Sequence, residues 1–112
     1  MVEVRVGIDN SGLVREIEAV GHVEGYSKGT NPVCAAATIL IRTYLRWVES
    51  GGYEPVEGTV PEPGRLFARV GKPERHREQK LLGAGEALLT GLFDLQETFP
   101  QHCRLKMETF KE

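Results

Sequence analysis

Long apolar runs are missing from this chain, and so is an excess of charge of one sign. No stretch approaches the roughly 18 apolar residues that a membrane-crossing helix needs, so no membrane partner is expected. The 112 residues carry 14 lysines and arginines against 16 aspartates and glutamates, a formal net charge of −2. A general nucleic-acid binder is usually strongly basic, so no direct contact with nucleic acid is expected. Cysteine is scarce: Cys34 and Cys103 are the two. Neither lies in a C-x-x-C pair and no H-x-x-x-H occurs, so the paired ligands of a zinc site are missing; no metal and no cofactor are expected. The opening "MVEVRVGIDN" alternates apolar and charged residues, which is the pattern of a strand and not of a signal peptide. With no sign of export, the expected location is cytoplasmic, where a structural disulfide is disfavoured.

What is present fits one domain, residues 1–112, with a modest core. In "VEVRVGI", Val2, Val4, Val6 and Ile8 share one face and Glu3 and Arg5 the other, a half-buried strand. "DNSG" (9–12) signals a hairpin turn, and "LVREIEAVGH" returns as a second strand with Leu13, Ile17 and Ala19 on one face, ending at Gly21 and His22. The polar segment 23–30 reads as a mobile loop. Asn31 and Pro32 open a helix, Asn as N-cap and Pro at the first helical position. Ala37, Leu40, Ile41, Tyr44 and Val48 recur along it at helical spacing, and Gly51 and Gly52 stop it. "YEPVEGTV" and "GRLFARV" read as strands joined by "PEPG", with Pro55 and Gly58 marking an edge or a bulge. A second helix follows, with Leu81, Leu88, Leu92, Leu95 and Phe99 as its stripe. Gly83, Gly85 and Gly91 within it suggest close packing. "HCRLKMETF" closes the chain, Cys103, Leu105 and Met107 on one face. The order β-β-α-β-β-α-β predicts an α+β fold, a mostly antiparallel sheet with two helices packed on it.

The chemistry centres on "GHVEGYSKGTNPVCAAAT" (21–38). Cys34 is third in its helix when Asn31 is the N-cap. The helix dipole and the first-turn N–H groups there favour a thiolate, and the N–H groups of Val33 and Cys34 can hold a developing oxyanion. A cysteine nucleophile also needs a base, and His22, ending the neighbouring strand, can take the thiol proton and return it to a leaving amine. The bland alternatives are an inert cysteine on the apolar side of a helix and a histidine that ends a strand. Asn31 can orient His22, although its capping role suffices. Thr38, one turn on, can hydrogen-bond near the thiol or back to its own helix. Cys103 reads as core, and Tyr44 and Trp47 read as core more readily than as ligand contacts. Arg75, His76 and Arg77 form a small basic cluster, more simply a solvated helical turn than a docking point for an acidic or RNA-bearing partner. A redox pair of Cys34 and Cys103 would need the two sulfurs within disulfide reach.

Gly21–His22, a glycine-bearing loop with Gly29 near its end, and Val33–Cys34–Ala35–Ala36 opening a helix together resemble the ribosomal-processing cysteine protease family, Prp (YsxB-like). The resemblance in element order runs over essentially the whole chain. It implies a cytoplasmic bacterial cysteine endopeptidase, usually a homodimer. Its substrate would be a ribosomal protein precursor, a large-subunit protein that loses a short N-terminal extension after an aromatic pair. Carried over, Cys34 is the nucleophile, His22 the base, and the loop around Gly25 and Gly29 the cover over the substrate. The family usually has an acidic residue where Asn31 stands, an aliphatic or β-branched one at Pro32 and serine at Thr38. Asn31 removes a carboxylate that would favour the imidazolium form of His22. The rival reading is a non-catalytic ribosome-associated peptide- or protein-binding module, in which Arg42, Arg46, Arg75 and Arg77 matter more than Cys34.

Overall fold

The computed structural model describes residues 1–21, 32–53, 56–62 and 64–111. Strands β1 (Val2–Ile8) and β2 (Val14–Val20) precede helix α1 (Pro32–Ser50), strands β3 (Val56–Glu62) and β4 (Arg65–Val70) precede helix α2 (Glu78–Thr98), and β5 (Cys103–Thr109) ends the fold. The sheet order is β3-β4-β2-β1-β5. β1 pairs antiparallel with β2, β2 with β4 and β4 with β3, whereas β5 runs parallel to β1 with Val2 opposite Cys103. The predicted α+β fold, a mostly antiparallel sheet with two helices packed on it, is therefore present, and the β1–β5 pairing makes the sheet mixed. The α2 crossover carries the chain back to the start of β1, and only a parallel strand fits that return.

The alternation in β1 separates the two faces of the sheet. Val2, Val4 and Val6 are buried with Ile17, Val70 and Cys103 against Ala37, Ile41, Tyr44 and Val48 of α1 and Leu81, Leu88, Leu92 and Leu95 of α2. Phe99 departs from the predicted stripe: it caps α2, its N–H donating to the Leu95 carbonyl, and is 37% exposed. Met107 shares a face with Cys103 but lies at the sheet edge, 51% exposed. Two of the three helix glycines are packing positions. A Cβ at Gly91 would stand 2.7 Å from Leu40, and one at Gly85 would stand 3.0 Å from Val14, so these glycines let α2 close on α1 and on β2. Gly83 meets nothing within 4 Å, and the expected close packing does not extend to it.

The β1–β2 turn is held by one side chain. Asp9 Oδ1 accepts from the N–H groups of Ser11 (2.9 Å) and Leu13 (3.0 Å), and Asp9 Oδ2 receives the Arg15 guanidinium at 3.0 Å. Arg15 is buried, and its Nε donates to the Val70 carbonyl at 2.7 Å. A buried guanidinium is tolerable only when its donors are taken up in this way. The end of α1 is tied down by the basic cluster seen in the sequence. Arg77 donates to the Gly51 and Gly52 carbonyls and lies 4.0 Å over the Tyr53 ring, which stacks on Trp47. Arg77 is thus a latch on a helix C-terminus, where a cation is favoured. Arg75 and His76 are exposed in a 3₁₀ turn. Tyr44 is core, its hydroxyl donating to the Val14 carbonyl, while Trp47 is 39% exposed and only partly core.

The sheet face away from the helices is a lattice of charges. Arg5 contacts Glu16, Glu18 and Glu108; Arg65 pairs with Glu18, Arg69 with Glu16 and Lys106 with Glu3. The Arg65 hydrogen bond, assisted by the charge of Arg65 and Arg5, holds the Glu18 carboxyl below its ordinary 4.5. A depressed carboxyl stabilises the fold above its unfolded value, and that contribution is lost as pH falls from about 4.5 through the folded value. Glu18→Gln therefore lowers the melting temperature at pH 7 and flattens its fall below pH 4.5, as thermal melts across pH will read. Gly83→Ala, in a helix interior with open space, should stabilise by about 1 kcal/mol in urea titration.

Candidate active site

The candidate site lies where β2 ends over the first turn of α1. Gly21 leaves the sheet with φ +107° and donates its N–H to the Gly64 carbonyl at 3.0 Å. Cys34, third residue of α1, turns its sulfur toward this corner, with Sγ 3.9 Å from the Gly21 carbonyl oxygen. Val33, one residue earlier, is buried and roots the helix start in the core. This pair explains how the cysteine is placed: an apolar neighbour fixes the turn, and the thiol is left half-buried at its rim. The first-turn N–H groups point out of the helix end, and the first turn of α1 contains no acidic residue to oppose a negative charge there. The chemistry available at this corner is a thiol nucleophile beside backbone donors that stabilise an oxyanion.

The structure places Cys34 third in α1 with Val33 buried before it, and it adds Gly21 as a group that meets the sulfur. Thr38, one turn further along α1, is exposed to solvent. His22, Gly25, Gly29 and Asn31 lie outside the described residues. In the chain, His22 directly follows Gly21, one peptide bond from the carbonyl that faces Cys34. The contact of Gly21 with the thiol is the element of the site that sequence reasoning missed. Its signal is a glycine directly after a strand rich in β-branched residues.

Cys103 is the other free thiol, buried as the sequence predicts. Burial pushes this thiol up from its ordinary 9.0, and Cys34 adds to the shift. A depression of about 300 Å³ lies beside Gly21, lined by Met1, Glu3, Arg5, Glu18 and Val20. Its charged groups belong to the lattice on the outer face, already paired with one another or with neighbours there, so it offers no nucleophile. Among the described residues no group of three or more His, Cys, Asp or Glu is arranged to hold a metal ion, and no helix is long and apolar enough to cross a membrane.

A family model described as cysteine protease Prp matches residues 1–104. No curated protein matches the chain. Among solved structures, the essential ribosomal processing protease Prp from S. aureus, in complex with a covalently linked product peptide, is 19% identical with a TM-score of 0.78, over 96% of this chain and 100% of that one. The same S. aureus protease in complex with a substrate peptide is 16% identical with a TM-score of 0.75, at the same coverage. SMU.848 from Streptococcus mutans is 21% identical with a TM-score of 0.78, over 98% of this chain and 96% of that one. At these identities the structural likeness is one of fold.

The two thiols should separate cleanly in a labelling experiment. Iodoacetamide at neutral pH is expected to add once, at Cys34, and to reach Cys103 only after denaturation, because a buried, upshifted thiol offers little thiolate. Peptide mass mapping reads the two sites directly.

Proposed function

The chain belongs to the Prp family of cysteine proteases, and from that premise we propose that it is an endopeptidase removing a short N-terminal extension from a large-subunit ribosomal protein precursor, with Cys34 and His22 as its dyad. The observation that carries the reading is the meeting of the Cys34 sulfur with the Gly21 carbonyl. The residue after that carbonyl is the histidine of the Gly21–His22 motif. The substrate class is supported by likeness: the S. aureus protease of the same fold is a ribosomal processing protease that takes a peptide substrate.

In this reading His22 withdraws the thiol proton and Cys34 attacks the scissile carbonyl carbon. The tetrahedral oxyanion rests against the N–H groups of the α1 first turn. His22 then gives its proton to the leaving amine, which departs with the shortened protein and leaves the N-terminal peptide as a thioester on Cys34. Water, deprotonated by His22, releases that peptide and restores the thiol. Asn31 shapes the approach to His22, Thr38 stands one turn behind the nucleophile, and the segment carrying Gly25 and Gly29 covers the bound peptide. The work is done in the cytoplasm, where ribosomal proteins are made.

The reading includes a homodimer. Its support is the apolar surface beside edge strand β5: Met107 is 51% and Phe93 41% exposed. Phe93 lies one turn before Gln96, whose Oε1 accepts the Leu105 N–H at 2.7 Å, and Met107 lies two residues beyond Leu105. A second copy would cover this strip.

The test is cleavage of a synthetic peptide spanning the N-terminus of the host's own ribosomal protein precursor. Wild-type protein is expected to cut it once. Cys34→Ser and His22→Ala should each lose more than about 10³-fold in kcat/KM while keeping the wild-type melting profile. Cleavage by Cys34→Ala at the wild-type rate would sink the dyad, and an uncut peptide with all proteins folded would move the substrate elsewhere.

A further inference from the structure

Among the described residues, four glycines have positive φ: Gly12, Gly21, Gly52 and Gly64. Three of them have room. A Cβ at Gly64 would meet nothing within 4 Å, one at Gly52 would come no nearer than 3.8 Å to the Arg77 guanidinium, and one at Gly12 would come within 3.2 Å of the movable tip of Leu82. Gly21 differs in kind: a Cβ there would stand 2.2 Å from the Met1 carbonyl oxygen and 3.3 Å from its carbon. That obstacle is backbone, and it cannot swing aside. Val2, the next residue, donates its N–H to the His102 carbonyl at 2.7 Å, and β1 is paired on both sides.

The Gly21 peptide is therefore fixed from three directions. Its N–H is held by the Gly64 carbonyl, its α-carbon lies against Met1, and its carbonyl faces the Cys34 sulfur at 3.9 Å. We propose that Gly21 is a positioning residue for Cys34: its carbonyl oxygen is the acceptor that orients the thiol, and the absence of a side chain is what lets that oxygen reach the sulfur. The proposal rests on the protease reading only for its kinetic consequence. A side chain at this position must push the end of β2 away from the start of β1. The acceptor of the thiol then moves, and so does the amide of His22, because both belong to one peptide unit. An error of an ångström in a nucleophile is enough to cost orders of magnitude in rate.

The experiment compares Gly21→Ala with Gly12→Ala. Both place alanine at positive φ and both incur the backbone strain of that conformation, but Gly12 lies in the turn at the far end of the same hairpin. Melting temperature should fall in both. In precursor-peptide kinetics, Gly21→Ala alone is expected to lose kcat by at least about tenfold with KM changed less than about threefold. Equal kcat losses in the two variants, or wild-type kcat in Gly21→Ala, overturn the proposal. A second arm works whether or not Gly21→Ala folds. In protein labelled with ¹³C-glycine, the Gly21 carbonyl resonance should move upfield by several linewidths in Cys34→Ala and stay in place in Cys103→Ala; a resonance unmoved by loss of the Cys34 thiol overturns the proposal. That arm needs no catalysis, so an uncut peptide would remove the protease reading and leave the positioning role to be decided by the spectrum.

Discussion

Everything at the candidate site depends on one close approach, that of the Met1 carbonyl to the α-carbon of Gly21. A strand normally ends where its side chains stop packing. Here it ends where another stretch of backbone leaves no space for a side chain at all. Gly21 answers with a positive φ, which only glycine adopts without strain. The turn leaves its carbonyl facing the first turn of α1, where the Cys34 sulfur lies. The thiol is placed by backbone on both sides: by the helix that carries it and by the strand end that receives it.

The rest of the fold keeps that corner still. β1 is clamped between β2 and the parallel β5, so the start of β1 cannot shift independently of either neighbour. α1 is held at three levels: Val33 in the core beside the thiol, the Tyr44 hydroxyl on the Val14 carbonyl, and Arg77 on the Gly51 and Gly52 carbonyls. A helix fixed at its middle and its far end presents its first turn at a defined height above the sheet. At the opposite end of the hairpin, Asp9 and Arg15 close the β1–β2 turn and join it to Val70 of β4. The charged outer face contributes pairings across β1, β2, β4 and β5, each weak while exposed to solvent. Together they set register more than they add stability.

Much of this was legible in the residues because the relevant signals are local. Alternation in β1, the helix start at Pro32, the glycine stop after Ser50 and the apolar stripe of α2 each depend on neighbours in sequence. Cys34 at a helix start follows from the same local reading. What escaped it depends on tertiary partners. The parallel pairing of β5 is set by where α2 delivers the chain. Phe99 and Met107 continue apolar patterns beyond the point where the core has anything left to cover them. Gly85 and Gly91 are packing positions and Gly83 is not, although the three look alike in sequence; only the paths of Val14 and Leu40 distinguish them. Arg77 read as one of a solvated trio, yet its partners lie 25 and 26 residues away. For Gly21 the motif was visible and the cause was not, since the Met1 carbonyl that demands glycine belongs to a segment 20 residues earlier in the chain.

On the proposed reading, Cys34 forms a covalent bond with the substrate acyl group. That bond is read most directly by intact mass after rapid acid quench, with protein mixed for milliseconds with a thioester of the peptide that precedes the scissile bond. A transient species heavier by the peptide acyl group is expected, mapped to Cys34 and lost on hydrolysis. Release of the peptide acid with no acylated Cys34 at any time point, at a rate unchanged in Cys34→Ala, would contradict it.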